Sequence, residues 1–257
     1  MAFCELRYFS PALEKQTAAS IILPDDGQSM ARFPVLYLLH GLSDDHTIWG
    51  RRTSVERYVA GLPLIVVMPD GGRGFYTDAE LGYAYETAIV RDLVGYVERM
   101  FAALPGRSGR CVAGLSMGGY GAVRLALRHP DMFCAAVSHS GALHFGHHPM
   151  HGDDAWAAEM RRIVGADPMG GKDDLYALAE RTDPAWRPAL RIDCGADDFL
   201  IEANRAFHAH LDAIAYAHEY AESPGAHDWS YWDVHVREAI AFLARHLGIA
   251  ERAPEGA

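Results

Sequence analysis

The stretch CVAGLSMGGYG, residues 111–121, decides the fold. Its first residues are apolar and predict a strand, and residues 122–129 predict a helix that a proline ends. Between the two lies the pattern Gly-x-Ser-x-Gly, at Gly114, Ser116 and Gly118. This order of strand, tight turn and helix is typical of a nucleophile elbow, in which small neighbours make room for a strained serine. The stretch therefore predicts Ser116 as a nucleophile.

An acid and a histidine follow downstream, each just after a predicted strand. The acid is either Asp197 or Asp198, and we favour Asp198 because three residues beyond Gly195 suits a tight turn that sends the side chain inward. The histidine is His227, between a predicted strand and the last predicted helix. A histidine activates a serine and a carboxylate orients the histidine. This chain order disfavours the alternative, a glycine-rich turn with a solvent-exposed serine.

The oxyanion formed by attack on a carbonyl needs two hydrogen-bond donors. One is expected to be the backbone N–H of Met117, which directly follows the serine. The other is expected from the loop after the early strand at residues 35–39, and we predict the backbone N–H of Leu42. The loop residues Tyr76 and Trp229 are candidates for the substrate pocket, and packing in the core or at the rim is the alternative for both.

Composition limits the other classes of function. The chain has 257 residues and a formal net charge of −11, which disfavours nucleic acid and anionic membrane as partners. The first residues lack a signal peptide pattern, and no apolar run reaches the length of a membrane span. The four cysteines form no Cys-x-x-Cys pair, so a reducing, cytoplasmic location is expected. The expected partner is a small-molecule ester, and a homo-oligomer is left open.

Strands alternate with helices along the chain, and the strands at residues 35–39 and 64–68 are apolar throughout. This pattern predicts an α/β fold with a mostly parallel central sheet and helices on both faces. Helices are predicted over 53–62, 85–101 and 234–247, among others. One domain is expected over 1–257, with a turn at 24–27 and a polar tail at 251–257.

Residues 142–188 interrupt this alternation and are rich in histidine, glycine, aspartate and proline. The segment is longer than an ordinary crossover after the sixth strand region, so we expect an insertion that caps the site. The histidine run from His144 to His151, with Asp153 and Asp154, fits no zinc spacing well. No metal and no other cofactor are therefore expected, and a solvated loop is the preferred interpretation.

These motifs together resemble the esterase D family of α/β-hydrolases over about residues 30–245. The matching motifs are His40-Gly41-Leu42, Met68-Pro69-Asp70-Gly71, Phe75-Tyr76-Thr77-Asp78, 114–122, Ser140-Gly141, 194–200 and His227-Asp228-Trp229. The resemblance implies an α/β-hydrolase fold, with Ser116, Asp198 and His227 as catalytic triad. It also implies the amides of Leu42 and Met117 as oxyanion hole.

The resemblance is greatest to tributyrin-type short-chain esterases. It predicts a serine carboxylesterase that hydrolyses short-chain acyl esters through an acyl-enzyme. The run His40-Gly41-Leu42-Ser43 departs from the Ser-Gly-Leu-Thr run of S-formylglutathione hydrolases. This difference weakens the prediction of a thioesterase of that kind, which is kept as the alternative. An acyltransferase of the same fold and a non-catalytic ligand-binding protein are the other classes that stay open.

Overall fold

The computed structural model describes residues 1–25 and 32–249. The turn expected at 24–27 lies partly, and the tail expected at 251–257 wholly, outside the described residues. The strands are β1 (Ala2–Ser10), β2 (Lys15–Leu23), β3 (Val35–Leu39), β4 (Ile65–Pro69), β5 (Arg110–Leu115), β6 (Ala135–His139), β7 (Ala189–Gly195) and β8 (His218–Ser223).

The eight strands form one sheet in the order β1-β2-β4-β3-β5-β6-β7-β8. From β4 to β8 every neighbouring pair is parallel, whereas β2 pairs antiparallel with both β1 and β4. The predicted mostly parallel sheet is confirmed. The carboxyl ends of β3, β5, β6, β7 and β8 consequently meet at one edge, where open α/β sheets carry their sites.

The helices are α1 (Ile48–Arg52), α2 (Val55–Tyr58), α3 (Tyr85–Thr87), α4 (Val94–Met100), α5 (Met117–Arg128), α6 (Ala155–Val164), α7 (Leu175–Arg181), α8 (Ile201–Ala213) and α9 (Trp229–His246). A π-helical segment, Ala88–Leu93, joins α3 to α4, so the helix predicted over 85–101 is present with one widened turn. Short 3-10 helices occupy Arg107–Gly109 and Pro184–Trp186.

Two of the helix predictions had wrong bounds. The segment 53–62 is not one helix, because α1 ends where the Thr53 N–H and hydroxyl both donate to the Trp49 carbonyl, at 3.1 and 2.6 Å. The last helix begins at Trp229 and not at 234. Its cap is Asp228, whose carboxylate accepts from the Tyr231 N–H at 3.1 Å.

Alternate residues of the buried strands pack on opposite faces of the sheet. In β3, Val35, Tyr37 and Leu39 belong to one apolar cluster with side chains of α4, α5 and α8, while Leu36 and Leu38 belong to another with α1, α2 and α9. Helices therefore cover both faces, as the apolar strands predict. None of the helices within 1–25 and 32–249 is long and apolar enough to cross a membrane.

A buried cation anchors α5. The Arg124 side chain is fully buried, with its Nε 2.8 Å from Asp173 Oδ1 and its Nη2 2.8 Å from Glu86 Oε2. The Thr77 hydroxyl also donates to Asp173, at 2.6 Å. This ion network joins α5 to the start of α3 and to the segment 142–188, on the same side of the sheet.

Candidate active site

The turn between β5 and α5 has the geometry of a nucleophile elbow. Ser116 has φ 53° and ψ −117°, and its N–H donates to the His139 carbonyl at 2.9 Å. A Cβ on Gly114 would lie 2.4 Å from the Gly118 carbonyl oxygen, and one on Gly118 would lie 2.6 Å from the carbonyl oxygens of residues 39 and 40. Only glycine fits at these two positions, and the serine occupies a backbone region that side chains rarely adopt.

His227 lies between Ser116 and Asp198. Its Nε2 is 3.1 Å from Ser116 Oγ, and its Nδ1 is 3.0 and 2.8 Å from the two Asp198 oxygens. An ionised carboxylate only accepts, so Nδ1–H donates to Asp198 and Nε2 is free to accept from the Ser116 hydroxyl. Asp197 is exposed, and its N–H donates to the Gly225 carbonyl. The structure thus brings Asp198, and not Asp197, to the histidine.

The environment of Asp198 keeps it ionised. Burial raises the pKa of its carboxyl, but hydrogen bonds from His227, the Leu200 amide and the Ser140 hydroxyl lower that pKa below its ordinary value. The Leu200 N–H donates to Oδ1 at 2.8 Å. The Ser140 oxygen accepts from Trp232 Nε1 at 3.2 Å, which leaves its hydroxyl hydrogen free to point at the acid. A charged acceptor is therefore fixed behind the His227 ring.

The two predicted oxyanion donors flank Ser116. Met117 is the first residue of α5, where a helix leaves its N–H groups without intrahelical partners. The loop of Leu42 packs directly on the elbow, since a Cβ on Gly41 would lie 2.6 Å from Leu115 Cδ1 and 3.6 Å from Ser116 Cβ. Within the described part of the chain, neither amide donates to a protein acceptor. Both are available to a bound oxygen.

Two cavities meet at Ser116 and differ in polarity. The first, of about 390 Å³, is mostly apolar, and its lining includes Phe75, Met117, His144, Phe145, Trp156, Phe199 and Leu200. The second, of about 380 Å³, is polar, and its lining includes Ser43, Asp44, Arg52, His227, Asp228, Trp229 and Trp232. Leu42 borders both cavities. A larger cavity of about 610 Å³ lies beside α6, but none of Ser116, Asp198 and His227 lines it. The candidate site is therefore identified by its side chains and not by its volume.

The predicted pocket residues differ in outcome. Trp229 borders the polar cavity and contacts Trp49 and Trp232 edge-on. Tyr76 as a pocket residue is wrong, because its side chain is fully buried and its hydroxyl donates to the His40 carbonyl at 3.0 Å. Its neighbour Phe75 borders the apolar cavity instead.

The histidine run is divided among separate contacts. His144 borders the apolar cavity, and burial lowers its pKa, which favours the neutral ring. His147 lies 3.0 Å from Asp174 and stacks on Tyr176 with ring centroids 3.8 Å apart. Asp154 caps α6. Within residues 1–25 and 32–249, the one group of three side chains close enough to share a metal ion is on α8 and β8, namely His208, Asp212 and His218.

Several side chains of the site were not predicted from the sequence. They are Phe75, His144, Phe145, Trp156, Phe199 and Leu200 in the apolar cavity, and Asp44, Arg52 and Trp232 in the polar one. Phe199 and Leu200 directly follow the predicted acid, which is the one signal that could have found them. Phe75 belongs to a motif that carries the resemblance, but that motif does not say which of its two aromatic residues borders a cavity. The others belong to no motif, and they reach the site from loops, from α1 and α9, and from segment 142–188.

Several known proteins are similar to this chain in fold and in sequence. An acetyl esterase of Caldicellulosiruptor saccharolyticus is 27% identical over 263 residues, which span 95% of this chain and 99% of that protein. The fluorophosphonate-binding serine hydrolase FphF of Staphylococcus aureus is 31% identical, with a TM-score of 0.85 over 94% of this chain and 98% of its own. An S-formylglutathione hydrolase, FrmB, of the same organism is also 31% identical, with a TM-score of 0.83 over the same shares.

Fold, sequence similarity and the chemistry of the site define the class. The chain is a carboxylic ester hydrolase of the serine type, with an α/β-hydrolase fold. The Esterase family model, described as "Putative esterase", matches residues 10–243, and the chain belongs to this family. The resemblance to the esterase group is thereby confirmed.

Proposed function

We propose that Ser116, His227 and Asp198 are the catalytic triad of this esterase and that it hydrolyses short-chain acyl esters. The hydrogen-bonded chain from Asp198 through His227 to Ser116 is the observation that carries the proposal. His227 accepts the Ser116 proton as Oγ attacks the ester carbonyl. The amides of Leu42 and Met117 stabilise the oxyanion.

The second half of the reaction uses the same groups. His227 donates its proton to the departing alcohol, which leaves an acyl group on Ser116. Water then enters, His227 accepts a proton from it, and attack on the acyl carbonyl releases the acid and restores the serine. Atoms balance as one ester plus one water giving one acid plus one alcohol.

The two cavities suggest how the ester lies. The leaving group must be next to the proton donor, and His227 borders the polar cavity but not the apolar one. We therefore assign the alcohol to the polar cavity and the acyl chain to the apolar cavity. Its aromatic, mostly apolar lining suits an apolar acyl group, and the similarity to an acetyl esterase supports a short one. Segment 142–188 then acts as a cap, since His144, Phe145 and Trp156 border this cavity.

Thioester hydrolysis is a second candidate. The polar cavity includes Asp44, Arg52 and Asp228, which suit a charged, peptide-like leaving group, and FrmB is named as an S-formylglutathione hydrolase. Transfer of the acyl group to an alcohol in place of water uses the same acyl-enzyme.

The test is a series of p-nitrophenyl esters with acyl chains of two to twelve carbons, measured beside S-formylglutathione. We expect kcat/KM to be highest for the short chains and to fall as the chain lengthens. Product analysis with and without added alcohol separates hydrolysis from transfer. Preference for the longest chains, or full activity of Ser116→Ala on the acetyl ester, would contradict the proposal.

A reducing, cytoplasmic location is also proposed. It is supported by the cysteines, since all four are free and Cys111 and Cys194 are buried as small apolar side chains. Fractionation of the source cells with an antibody to the chain tests it, and recovery outside the cytoplasm would overturn it.

A further inference from the structure

The buried side chain of His40 has no part in the mechanism above, although it lies two residues before Leu42. It is 1% exposed, and each of its ring nitrogens has one backbone partner. The Gly71 N–H donates to Nε2 at 2.9 Å, and Nδ1 lies 2.7 Å from the Gly41 carbonyl oxygen. A backbone N–H only donates, so Nε2 is the unprotonated nitrogen. Nδ1 therefore carries the hydrogen and donates it to Gly41.

The acceptor of this bond matters because of the peptide unit to which it belongs. The Gly41 carbonyl and the Leu42 N–H are the two ends of one peptide, and in a trans peptide they point in opposite directions. The same oxygen also accepts from the Asp44 N–H at 3.3 Å. Two donors on the carbonyl side fix the plane of this peptide. The Leu42 N–H is then held on the other side, where it meets no acceptor among residues 1–25 and 32–249.

We propose that His40 is a positioning residue that orients the Gly41–Leu42 peptide so that the Leu42 N–H meets the oxyanion. The inference rests on the proposed function, since it requires an oxyanion at Ser116. A hydrogen-bond donor stabilises a transition state most when its orientation is fixed before the reaction. The Gly71 amide contributes by fixing the tautomer of His40, because the hydrogen bond at one ring nitrogen of a histidine decides which nitrogen carries the proton. The nearest acid oxygen, on Asp70, is 3.7 Å from Nε2 and too distant for a hydrogen bond.

Two substitutions of similar size separate the two ring nitrogens. In His40→Asn the amide N–H lies where Nδ1–H lies, and in His40→Gln the amide reaches the position of Nε2. We expect His40→Asn to keep kcat within about fivefold of the wild-type value and His40→Gln to lower kcat about 10- to 100-fold. Deleting an oxyanion donor lowers kcat by about 10²- to 10³-fold, and a misdirected donor should cost no more than that. KM for p-nitrophenyl acetate should change little in either variant.

A trifluoromethyl ketone inhibitor supplies a measurement that a merely structural role would not change. The serine adds to it to form a tetrahedral oxyanion, so its inhibition constant should rise in His40→Gln by the same factor by which kcat/KM falls. Tyr76→Phe is the matched control, since it removes a hydrogen bond to the same loop but to the His40 carbonyl, one peptide earlier. We expect this control to lower the melting temperature while kcat stays within about threefold.

The possible results differ for this inference and for the proposed function. Full activity of Ser116→Ala overturns both. An inactive Ser116→Ala together with equal kcat values for His40→Asn and His40→Gln overturns the role of His40 alone. Loss of activity in proportion to loss of melting temperature across all three loop variants does the same. Rescue by asparagine, with matching changes in kcat/KM and inhibitor affinity, supports it.

Discussion

Ser116 is held in a strained backbone conformation. Its φ of 53° places a non-glycine residue in a region that costs about 1–3 kcal/mol, and the surrounding contacts maintain it. Its N–H is held by the His139 carbonyl, and its carbonyl accepts from the N–H groups of Tyr120 and Ala142. This conformation directs Oγ at His227, so the backbone strain that lowers stability is what the proposed mechanism requires.

Asp198→Asn should reduce kcat by about 10⁴-fold, because an amide in place of the carboxylate favours the wrong tautomer of His227 and cannot stabilise its cation. Asp197→Asn is the matched control, one residue earlier and exposed, and should stay within about threefold. Steady-state kinetics on p-nitrophenyl acetate measures both. A larger loss in Asp197→Asn would move the role of acid to that residue.

At the residue scale, the sequence could predict the site residues that motifs specify. Two glycines two residues from a serine, and a carboxylate and a histidine after strands, constrain backbone and chemistry together. It could not predict that Phe75 and not Tyr76 borders the cavity. Both have positive φ, 49° and 54°, without being glycine, so the alternation that decides which side chain faces inward does not apply.

At the scale of elements, α5 joins the elbow to the rest of the fold through Arg124. This side chain is fully buried against Glu86 and Asp173. Removing one member of a buried ion network leaves the other charges unpaired in a region of low polarity. The position of the helix that carries Met117 therefore depends on this network.

Arg124→Met should lower the free energy of unfolding by about 3–5 kcal/mol, since it leaves two buried carboxylates without their shared cation. Arg128→Met is the control on the same helix, because Arg128 pairs with Glu86 but is 30% exposed, and it should cost about 1 kcal/mol or less. Urea unfolding followed by circular dichroism measures the difference. If the two variants lost the same free energy of unfolding, the buried network would contribute no more to stability than an exposed ion pair.

The element boundaries that the sequence missed depend on side-chain contacts. The apolar pattern over 53–62 resembles a single helix, but the Thr53 hydroxyl competes for the Trp49 carbonyl, and the Ser54 N–H donates to Asp233, far along the chain. The start of α9 could have been predicted, because Asp228 is a good capping residue. The Asp228 carboxylate accepts a hydrogen bond from the Tyr231 N–H in the first turn of α9.

At the scale of the whole molecule, acid should destabilise the protein through its paired carboxylates. Burial raises the pKa of Glu86, but the hydrogen bond from His129 and the charges of Arg124 and Arg128 lower it well below the ordinary value. A carboxyl whose pKa is lower in the folded than in the unfolded state adds stability above its unfolded pKa, about 4.3 for glutamate, and loses it as the pH falls further.

Glu86→Gln should therefore be less stable than the wild type at pH 7, and the two should converge as the pH falls below about 4. The measurement is the free energy of unfolding at several pH values between 7 and 3. A difference between the two proteins that is the same at every pH would show that the charge of Glu86 does not stabilise the fold.

The parallel part of the sheet could be predicted because the central strands β3 and β4 are apolar throughout and buried on both faces, which is typical of a parallel sheet covered by helices. Segment 142–188 could not be predicted to the same depth. Apart from the short helices α6 and α7 it has no regular pattern. The side chains that border the apolar cavity, among them Phe145 and Trp156, are placed by tertiary contacts such as the stacking of Phe145 on Phe75 at 3.9 Å. In our proposal, substrate preference is decided in this least predictable segment.

The central claim is that Ser116 is the nucleophile, and covalent labelling tests it most directly. The protein is treated with a fluorophosphonate, digested, and analysed by mass spectrometry beside Ser116→Ala. We predict one adduct per chain, on the peptide that contains Ser116, no adduct in Ser116→Ala, and loss of esterase activity in step with labelling. An adduct on another residue, or labelling that leaves ester hydrolysis intact, would contradict it.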